Sequence, residues 1–234
     1  MNPAKRIILF PQDKGGIGKS FVATLLYDYL TEEAVSLKAF DLDHANSTFN
    51  RFVPEAEFID TDVDTHRLGV LDRLFEALAG VDTVLVDNRA TGGDKVLSYL
   101  NETGLPLLQQ QTNCTLVFVV IATDDKDSNS QLATLIEQHG EEVRWLVARN
   151  LRDSPTLPLF AQSNSRQRLL ELGAIEIDGP CLSEVTRNRL QQANLTVGRS
   201  RESPQLQILD RSRCVRYHER MAAEFTRARA LLIG

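Results

Sequence analysis

The chain has 234 residues, a net charge of -6, 42% hydrophobic residues and 25% charged residues, which is typical of a globular protein and excludes a disordered or fibrous one. Because no linker divides it, residues 1–234 are predicted to form one α/β domain. The longest strongly apolar run, residues 116–122, is far shorter than the roughly 20 residues of a membrane-spanning helix.

The predicted elements alternate between strands and helices along the chain. A short apolar run at residues 7–10 comes before a glycine-rich turn and a stretch with helical spacing at residues 21–30. Further strands are predicted at residues 37–41, 81–87, 115–122 and 143–148, and helices at residues 68–78, at 128–139 and over most of the chain from 182 onward. This alternation predicts a doubly wound, mostly parallel sheet with helices on both faces, a helical C-terminus, and ligands at the carboxyl ends of the strands.

A glycine-rich sequence, DKGGIGKS at residues 13–20, lies between the first predicted strand and the first predicted helix. Its glycines let the backbone N–H groups point at phosphate oxygens, and the following helix contributes the positive end of its dipole. Lys19 is predicted to neutralise the β and γ phosphates, and the Ser20 hydroxyl to bind Mg²⁺. The predicted phosphate-binding residues are Gly15, Gly16, Ile17, Gly18, Lys19, Ser20 and Phe21.

This loop departs from the common phosphate-loop spacing, because Asp13 occupies a position where glycine is usual and a second lysine, Lys14, follows it. The sequence KGGIGKS resembles the deviant Walker A motif of the ParA/MinD group of ATPases. The resemblance implies ATP and Mg²⁺ as cofactors and an ATP-dependent homodimer. Lys14 would reach the partner subunit's nucleotide and supply there the positive charge that an arginine finger supplies elsewhere.

Aspartates end two of the predicted strands. The segment FDLDHANST resembles the first switch of that family, in which Asp41 would face the water shell of Mg²⁺ and Asp43 would orient the attacking water. VLVD matches the Walker B pattern, so Asp87 would hold the metal through water. His44 and Ala45 depart from the family pattern. Carboxylates at strand ends also cap the next element, and this alternative stays open.

Two residues are predicted to contact the base of the nucleotide. Asn150 ends the strand WLVARN, and the resemblance implies that it reads the edge of adenine. Pro180 lies in a segment that resembles the family's strand, proline and helix beside the base. An asparagine at a strand end is also ordinary turn chemistry, so the structural interpretation of Asn150 stays open.

Several segments resemble, in order, the TraL-like ATPases encoded with conjugative plasmid transfer systems. These segments are GKSFVATLLYDYL, DLDHANSTFNRF, VLVDNRA, KVLSYLNETG and WLVARN. The resemblance implies a slowly hydrolysing switch that positions or transfers DNA and answers to an unidentified protein activator. Two alternatives are a nucleotide-binding scaffold with negligible turnover and an ATP-dependent metabolic ligase on the same fold.

Positive charge is concentrated near the C-terminus. Residues 187–229, the arginine-rich segment, contain ten arginines and no lysine and carry +6, while the rest of the chain carries -12. Such asymmetry points to an acidic partner such as DNA, and the alternative is a solvated helix surface. The amphipathic stretch from Met221 to Leu232 is expected to pack against the sheet and not to bind a membrane.

The cysteines give a last expectation. Cys114, Cys181 and Cys214 are far apart in sequence, without the spacing of a disulfide framework, an iron–sulfur cluster or a zinc site. Free thiols of this kind suit a reducing compartment, so a cytoplasmic protein is expected.

Overall fold

The structure is a computed structural model and describes residues 5–43, 48–61, 68–88 and 93–234. Its strands are β1 (Lys5–Leu9), β2 (Leu37–Asp41), β3 (Glu57–Phe58), β4 (Thr83–Asp87), β5 (Cys114–Ala122), β6 (Arg144–Asn150) and β7 (Ile175–Gly179). They form one sheet in the order β3-β2-β4-β1-β5-β6-β7, and every neighbouring pair is parallel. The predicted doubly wound sheet is therefore confirmed.

Helices cover both faces of this sheet. They are α1 (Lys19–Glu32), α2 (Thr48–Phe52), α3 (Asp72–Glu76), α4 (Gly93–Thr103), α5 (Leu105–Thr112), α6 (Lys126–His139), α7 (Pro158–Ala161), α8 (Asn164–Glu171), α9 (Glu184–Ala193), α10 (Val197–Ser200), α11 (Ile208–Arg227) and α12 (Arg229–Leu232). Of the helices in the described ranges, none is both long enough and apolar enough to cross a bilayer.

The predicted helix over residues 68–78 is wrong as a continuous element. This stretch forms α3 between two 3₁₀ turns, Leu68–Val70 and Ala77–Ala79. Leu71, Leu74 and Leu78 are nevertheless buried. Apolar residues three apart line one side of a 3₁₀ turn as well as one side of an α-helix, so that spacing does not separate the two.

The central strands are buried on both faces, which explains their continuous apolar sequences. Val84 and Val86 pack on the face covered by α4 and α6, whereas Leu85 packs on the face covered by α1 and α11. The expected packing of the C-terminal stretch is confirmed, since Met221 and Phe225 are buried on the α1 face. Both layers therefore rest on strands that carry the site residues at their carboxyl ends.

The loop after β1 is anchored to the neighbouring strand β5. The side chain of Gln12, 1% exposed, donates from Nε2 to the Ile121 carbonyl over 3.1 Å and accepts from the Ile121 N–H over 2.6 Å. These two bonds take the place of a strand pairing just beyond the end of β1. They fix the position from which the glycine-rich loop begins.

Candidate functional site

The glycine-rich loop lies at the carboxyl edge of the sheet, between β1 and α1. Gly16 and Gly18 have φ angles of +75° and +104°, which residues with a side chain rarely adopt. Gly18 is the N-cap of α1, and a Cβ atom there would lie 3.3 Å from Nδ2 of Asn150. The predicted need for glycine in this loop therefore has a conformational cause at two positions and a close approach at one.

Lys19 is buried at the first position of α1, with 6% of its surface exposed. Its Nζ donates to the Lys14 carbonyl oxygen over 2.7 Å, so the lysine folds back on its own loop. Burial lowers the pKa of Lys19, and the nearby charge of Asp87 partly opposes this. A buried cation held mainly by a neutral carbonyl is suited to a stronger anionic partner such as phosphate.

Asp87 ends β4 and is fully buried. Its desolvation raises the pKa to about 7, although the nearby Ser20 hydroxyl partly opposes the rise. No described group lies in hydrogen-bonding geometry with either carboxylate oxygen. An unpaired buried carboxylate beside a lysine and a hydroxyl matches the chemistry of a site for a hydrated divalent cation, which binds oxygen ligands.

Asp41 pairs with Asp87 in the register of β2 and β4 and is also fully buried. Its Oδ1 accepts from the Asp43 N–H and its Oδ2 from the Asn50 N–H, both over 2.8 Å. Burial raises its pKa, while these backbone donors oppose the rise. Asp41 therefore caps the start of α2, as the alternative interpretation of strand-end carboxylates expected. Its further role toward Mg²⁺ stays a prediction.

Asp43 lies two residues beyond the end of β2 and is 7% exposed. Its backbone N–H is tied to Asp41, which places it at the same edge of the sheet as Asp87. The family departures at His44 and Ala45 lie outside the described residues. The predicted water-orienting role of Asp43 is therefore untested.

Lys14 is held by the start of α6. Its Nζ lies 3.1 Å from Oδ1 of Asp125 and 3.1 Å from Oδ2 of Asp127, and its backbone N–H donates to Oε1 of Gln131 over 3.1 Å. Hydrogen bonds to Asp127 and Asp125 raise the pKa of Lys14. We call Asp125, Asp127 and Gln131 the α6 clamp, because they bind Lys14 within its own chain.

An open cleft lies between α1, the end of β6 and the segment after β7. It encloses about 590 Å³, including solvent at its mouth, and its lining includes Gly18, Phe21, Asn150, Pro180 and Arg187. The structure thus brings both predicted base-contacting residues to the start of α1.

The side chain of Asn150 is already engaged. Its Nδ2 donates to the Ile17 carbonyl over 2.8 Å, and its Oδ1 accepts from the Arg152 N–H over 3.1 Å. The open structural interpretation is therefore part of the answer, because Asn150 shapes the turn after β6 and ties it to the phosphate loop. Reading of adenine by Asn150 stays a prediction.

The arginine-rich segment is largely paired within the chain. Ion pairs join its arginines to Asp210 (Arg189, Arg213), Glu55 (Arg199), Glu32 (Arg201), Glu224 (Arg227) and Glu33 (Arg229). Three of these pairs reach acidic residues of the N-terminal quarter, so part of the +6 charge neutralises the acidic remainder. Ion pairs to described residues are absent at Arg187, Arg211, Arg216 and Arg220.

The sequence is similar to those of known proteins. Two TraL proteins of Escherichia coli are similar in sequence, at 26% identity over 156 residues and 28% over 151 residues. In both cases 61% of this chain is matched, and the chain spans only 61% of the length of the TraL protein. No family model matches the chain.

Solved structures show the same architecture. MinD cell division protein of Aquifex aeolicus is similar with a TM-score of 0.52 at 13% identity, over 94% of this chain and 98% of MinD. The signal recognition particle receptor FtsY of Elizabethkingia anophelis gives a TM-score of 0.51 at 12% identity, over 93% of this chain and 66% of FtsY. This chain has the same fold as MinD and FtsY. The predicted resemblance is confirmed for the fold, and the sequence likeness to TraL proteins agrees with it.

The sequence pattern did not predict several residues that lie beside the predicted site residues. Asn88 follows Asp87 and is buried, and the α6 clamp holds Lys14. A signal for the clamp was present, since the acidic run DDKD at residues 124–127 follows the strand predicted at 115–122. The order of the predicted strands along the chain did not show that β5 lies beside β1. This pairing brings the acidic run after β5 to the glycine-rich loop.

Proposed function

We propose that this chain is a switch protein that binds Mg–ATP, dimerises and hydrolyses ATP slowly. The observation that carries the proposal is Asp87, a fully buried carboxylate with no hydrogen-bond partner among the described residues, next to Lys19 and Ser20. Mg²⁺ favours one or two carboxylates together with phosphate oxygens and water, and Ser20, Asp41 and Asp87 fit that set. Bound Mg²⁺ and phosphates would supply the charged partners that Asp87 and Lys19 lack among the described residues.

The switch would involve release of Lys14 from the α6 clamp. In the single chain, Lys14 is bound by Asp125 and Asp127 and is not directed at its own phosphates. If Lys14 acts on the partner subunit's nucleotide, these ion pairs must break when the dimer forms. Both pairs are partly exposed, and exposed ion pairs contribute little to stability, so the clamp can open at small cost. A solved MinC:MinD complex of Aquifex aeolicus has the same fold, which supports a protein partner for this chain.

For the biological output we propose DNA positioning or transfer, in keeping with the likeness to TraL. The support within the structure is a stripe of arginines on α11, formed by Arg213, Arg216, Arg220 and Arg227. All four are exposed, and at 100° per residue they fall within about 60° of one another around the helix axis. Arg216 and Arg220 have no ion pair to the described residues, which leaves them available to phosphate groups.

Titration calorimetry with Mg–ATP tests the nucleotide proposal. Wild-type protein should bind, and Lys19→Ala should lose at least about 100-fold in affinity, because the loop then has no cation for the β and γ phosphates. Lys126→Ala, an exposed lysine on α6, is the matched control and should bind like wild type. Equal affinities for wild type and Lys19→Ala would remove Lys19 from the site. Turnover measured on the same samples separates the ATPase from a scaffold with negligible hydrolysis.

The DNA proposal needs a separate measurement. Filter binding of nonspecific duplex DNA should require ATP and weaken steeply with salt, because each arginine–phosphate contact releases counterions. An Arg216→Ala, Arg220→Ala double variant should bind more weakly and with a shallower salt slope. Arg211→Ala, on the opposite flank of α11, is the control. A double variant that keeps the wild-type slope would reduce the stripe to a solvated surface.

A further inference from the structure

Tyr217 is a buried tyrosine of α11 that lines the cleft beside α1. It is 6% exposed, and its hydroxyl makes no hydrogen bond to any group in the described ranges. Burial raises the pKa of Tyr217, so the hydroxyl keeps its proton and stays a hydrogen-bond donor. Because a buried hydroxyl without a partner loses its bonds to water, this one indicates a partner that enters through the cleft.

Two neighbours place Tyr217 at the end of the cleft where the base is predicted. Its ring lies 6.0 Å from that of Phe21, in the first turn of α1. Its hydroxyl interacts electrostatically with Cys181, the residue after Pro180. Asn150 and Pro180, the two predicted base contacts, line the same cleft. Tyr217 therefore lies beside the predicted base site and not at the phosphate end of the loop.

A second tyrosine shows that access to the cleft makes the difference. The hydroxyl of Tyr29 is also buried without a described partner, and its ring packs 5.4 Å from that of Phe225 in the core between α1 and α11. Tyr29 and Tyr217 belong to the same core layer, but of the two only Tyr217 lines the cleft. Tyr29 is enclosed by the core, whereas Tyr217 can reach a ligand.

We propose that the Tyr217 hydroxyl binds the base of the nucleotide, so that α11 forms part of the base site. This inference rests on the proposed nucleotide function and adds a residue that the sequence pattern did not predict. A phenolic hydroxyl can donate to a ring nitrogen of the base or accept from an exocyclic amine. The half-buried ring of Phe21 beside it offers an apolar surface to the same base.

The position of Tyr217 also links the nucleotide to the arginine stripe. Arg220, three residues further along α11, belongs to the stripe, and its charge acts on the Tyr217 hydroxyl. Because α11 is one continuous helix of 20 residues, a base held by Tyr217 and DNA held by the stripe would contact the same element.

The test compares Tyr217→Phe, which keeps the ring and removes only the hydroxyl, with wild type. Tyr29→Phe, in the same core layer and away from the cleft, is the matched control. Affinities for Mg–ADP and for Mg–pyrophosphate, which has phosphates and no nucleoside, are measured by displacement of a fluorescent ADP. Tyr217→Phe should bind ADP roughly three- to tenfold more weakly and bind pyrophosphate like wild type, because one hydrogen bond to the base is lost. Tyr29→Phe should match wild type for both ligands.

Three results would overturn the inference. An unchanged ADP affinity of Tyr217→Phe would mean that the hydroxyl holds only a water of the cleft. An equal loss for pyrophosphate would mean that Tyr217 acts through the phosphate loop. A loss that disappears with 2′-deoxy-ADP or 3′-deoxy-ADP would assign the hydroxyl to the ribose. A wild-type protein that binds neither ADP nor pyrophosphate would refute the proposed function itself, which the wild-type titration shows before any variant is made.

Discussion

Asp87 and Asp210 are both fully buried carboxylates, but their surroundings differ. Asp210, on α11, accepts from the Thr186 hydroxyl over 2.9 Å and from the guanidinium groups of Arg189 and Arg213. Asp87, at the edge of the sheet, has no described hydrogen-bond partner. Burial raises the pKa of Asp210, yet the bonds from Arg189 and Thr186 outweigh it and the pKa lies below its usual value. Asp87 titrates near 7 instead.

The difference follows from where each carboxylate lies: Asp210 joins two helices, and Asp87 lies at the candidate site. On α11, the buried carboxylate of Asp210 has its partners within the protein, and its bonds to Thr186 and Arg189 hold α9 and α11 together. At the carboxyl edge of the sheet, Asp87 and Asn88 are buried without partners, which costs stability unless a ligand supplies them. Proteins commonly give up stability at functional sites in this way.

Alanine substitution of each carboxylate gives the strongest test of this difference. Asp210→Ala should lower the free energy of unfolding of the nucleotide-free protein by about 3–4 kcal/mol, because three charge-assisted bonds are lost together. Asp87→Ala should not lower it and should raise it at pH 8, because the carboxylate is then ionised and buried without a described hydrogen-bond partner, and its removal relieves that cost. Urea unfolding at pH 8 measures both. Equal losses would mean that Asp87 has structural partners after all.

A third buried carboxylate, Asp28, is expected to make the stability of the protein depend on pH. Asp28 on α1 accepts from the Thr196 hydroxyl and the Gly198 N–H, each over 2.7 Å, and makes no ion pair with a described residue, although the charge of Arg199 acts on it. Burial raises its pKa from 3.8 to about 6. Its contribution to stability is therefore complete below pH 3.8 and is lost as the pH rises through 6, about 3 kcal/mol in total.

The measurement is urea unfolding of wild type and Asp28→Asn from pH 4 to pH 8 without Mg²⁺. The difference between the two curves should move in favour of the variant between pH 4 and pH 6 and then level off. The titration of Asp87 occurs in both proteins and cancels in the difference. A flat difference would show that Asp28 is ionised in the folded protein throughout this range.

The smallest expected effect concerns the α6 clamp. The double variant Asp125→Asn, Asp127→Asn should raise ATP-dependent dimerisation roughly two- to fivefold, because exposed ion pairs to Lys14 are weak. Asparagine at position 125 keeps the N-cap bond to Ser128, so α6 should stay intact. Sedimentation at several protein concentrations measures the dimer. Asp124→Asn, whose carboxylate accepts from the Leu159 N–H, is the neutral control. Weaker dimerisation of the double variant would mean that these carboxylates serve the dimer.

Sequence alone determined the features that depend on near neighbours in the chain. Continuous apolar runs gave five of the seven strands, since a strand buried on both faces has no polar side to show. The order of Gly15, Gly16, Gly18, Lys19 and Ser20 located the glycine-rich turn between β1 and α1, because its geometry is set by eight consecutive residues. The prediction from sequence failed at residues 68–78, where the same apolar spacing fits two kinds of helical turn.

Only the tertiary structure decided which distant groups meet. Lys14 and Asp127 are 113 residues apart, and Asn150 and Ile17 are 133 residues apart. Their contacts follow from the strand order that sets β1 beside β5 and β5 beside β6, and composition carries no trace of that order. Hydrogen bonding is decided at the same level: Asp87 and Asp210 are both aspartates, and only the packing around each determines that Asp210 is fully bonded and that Asp87 has no described hydrogen-bond partner.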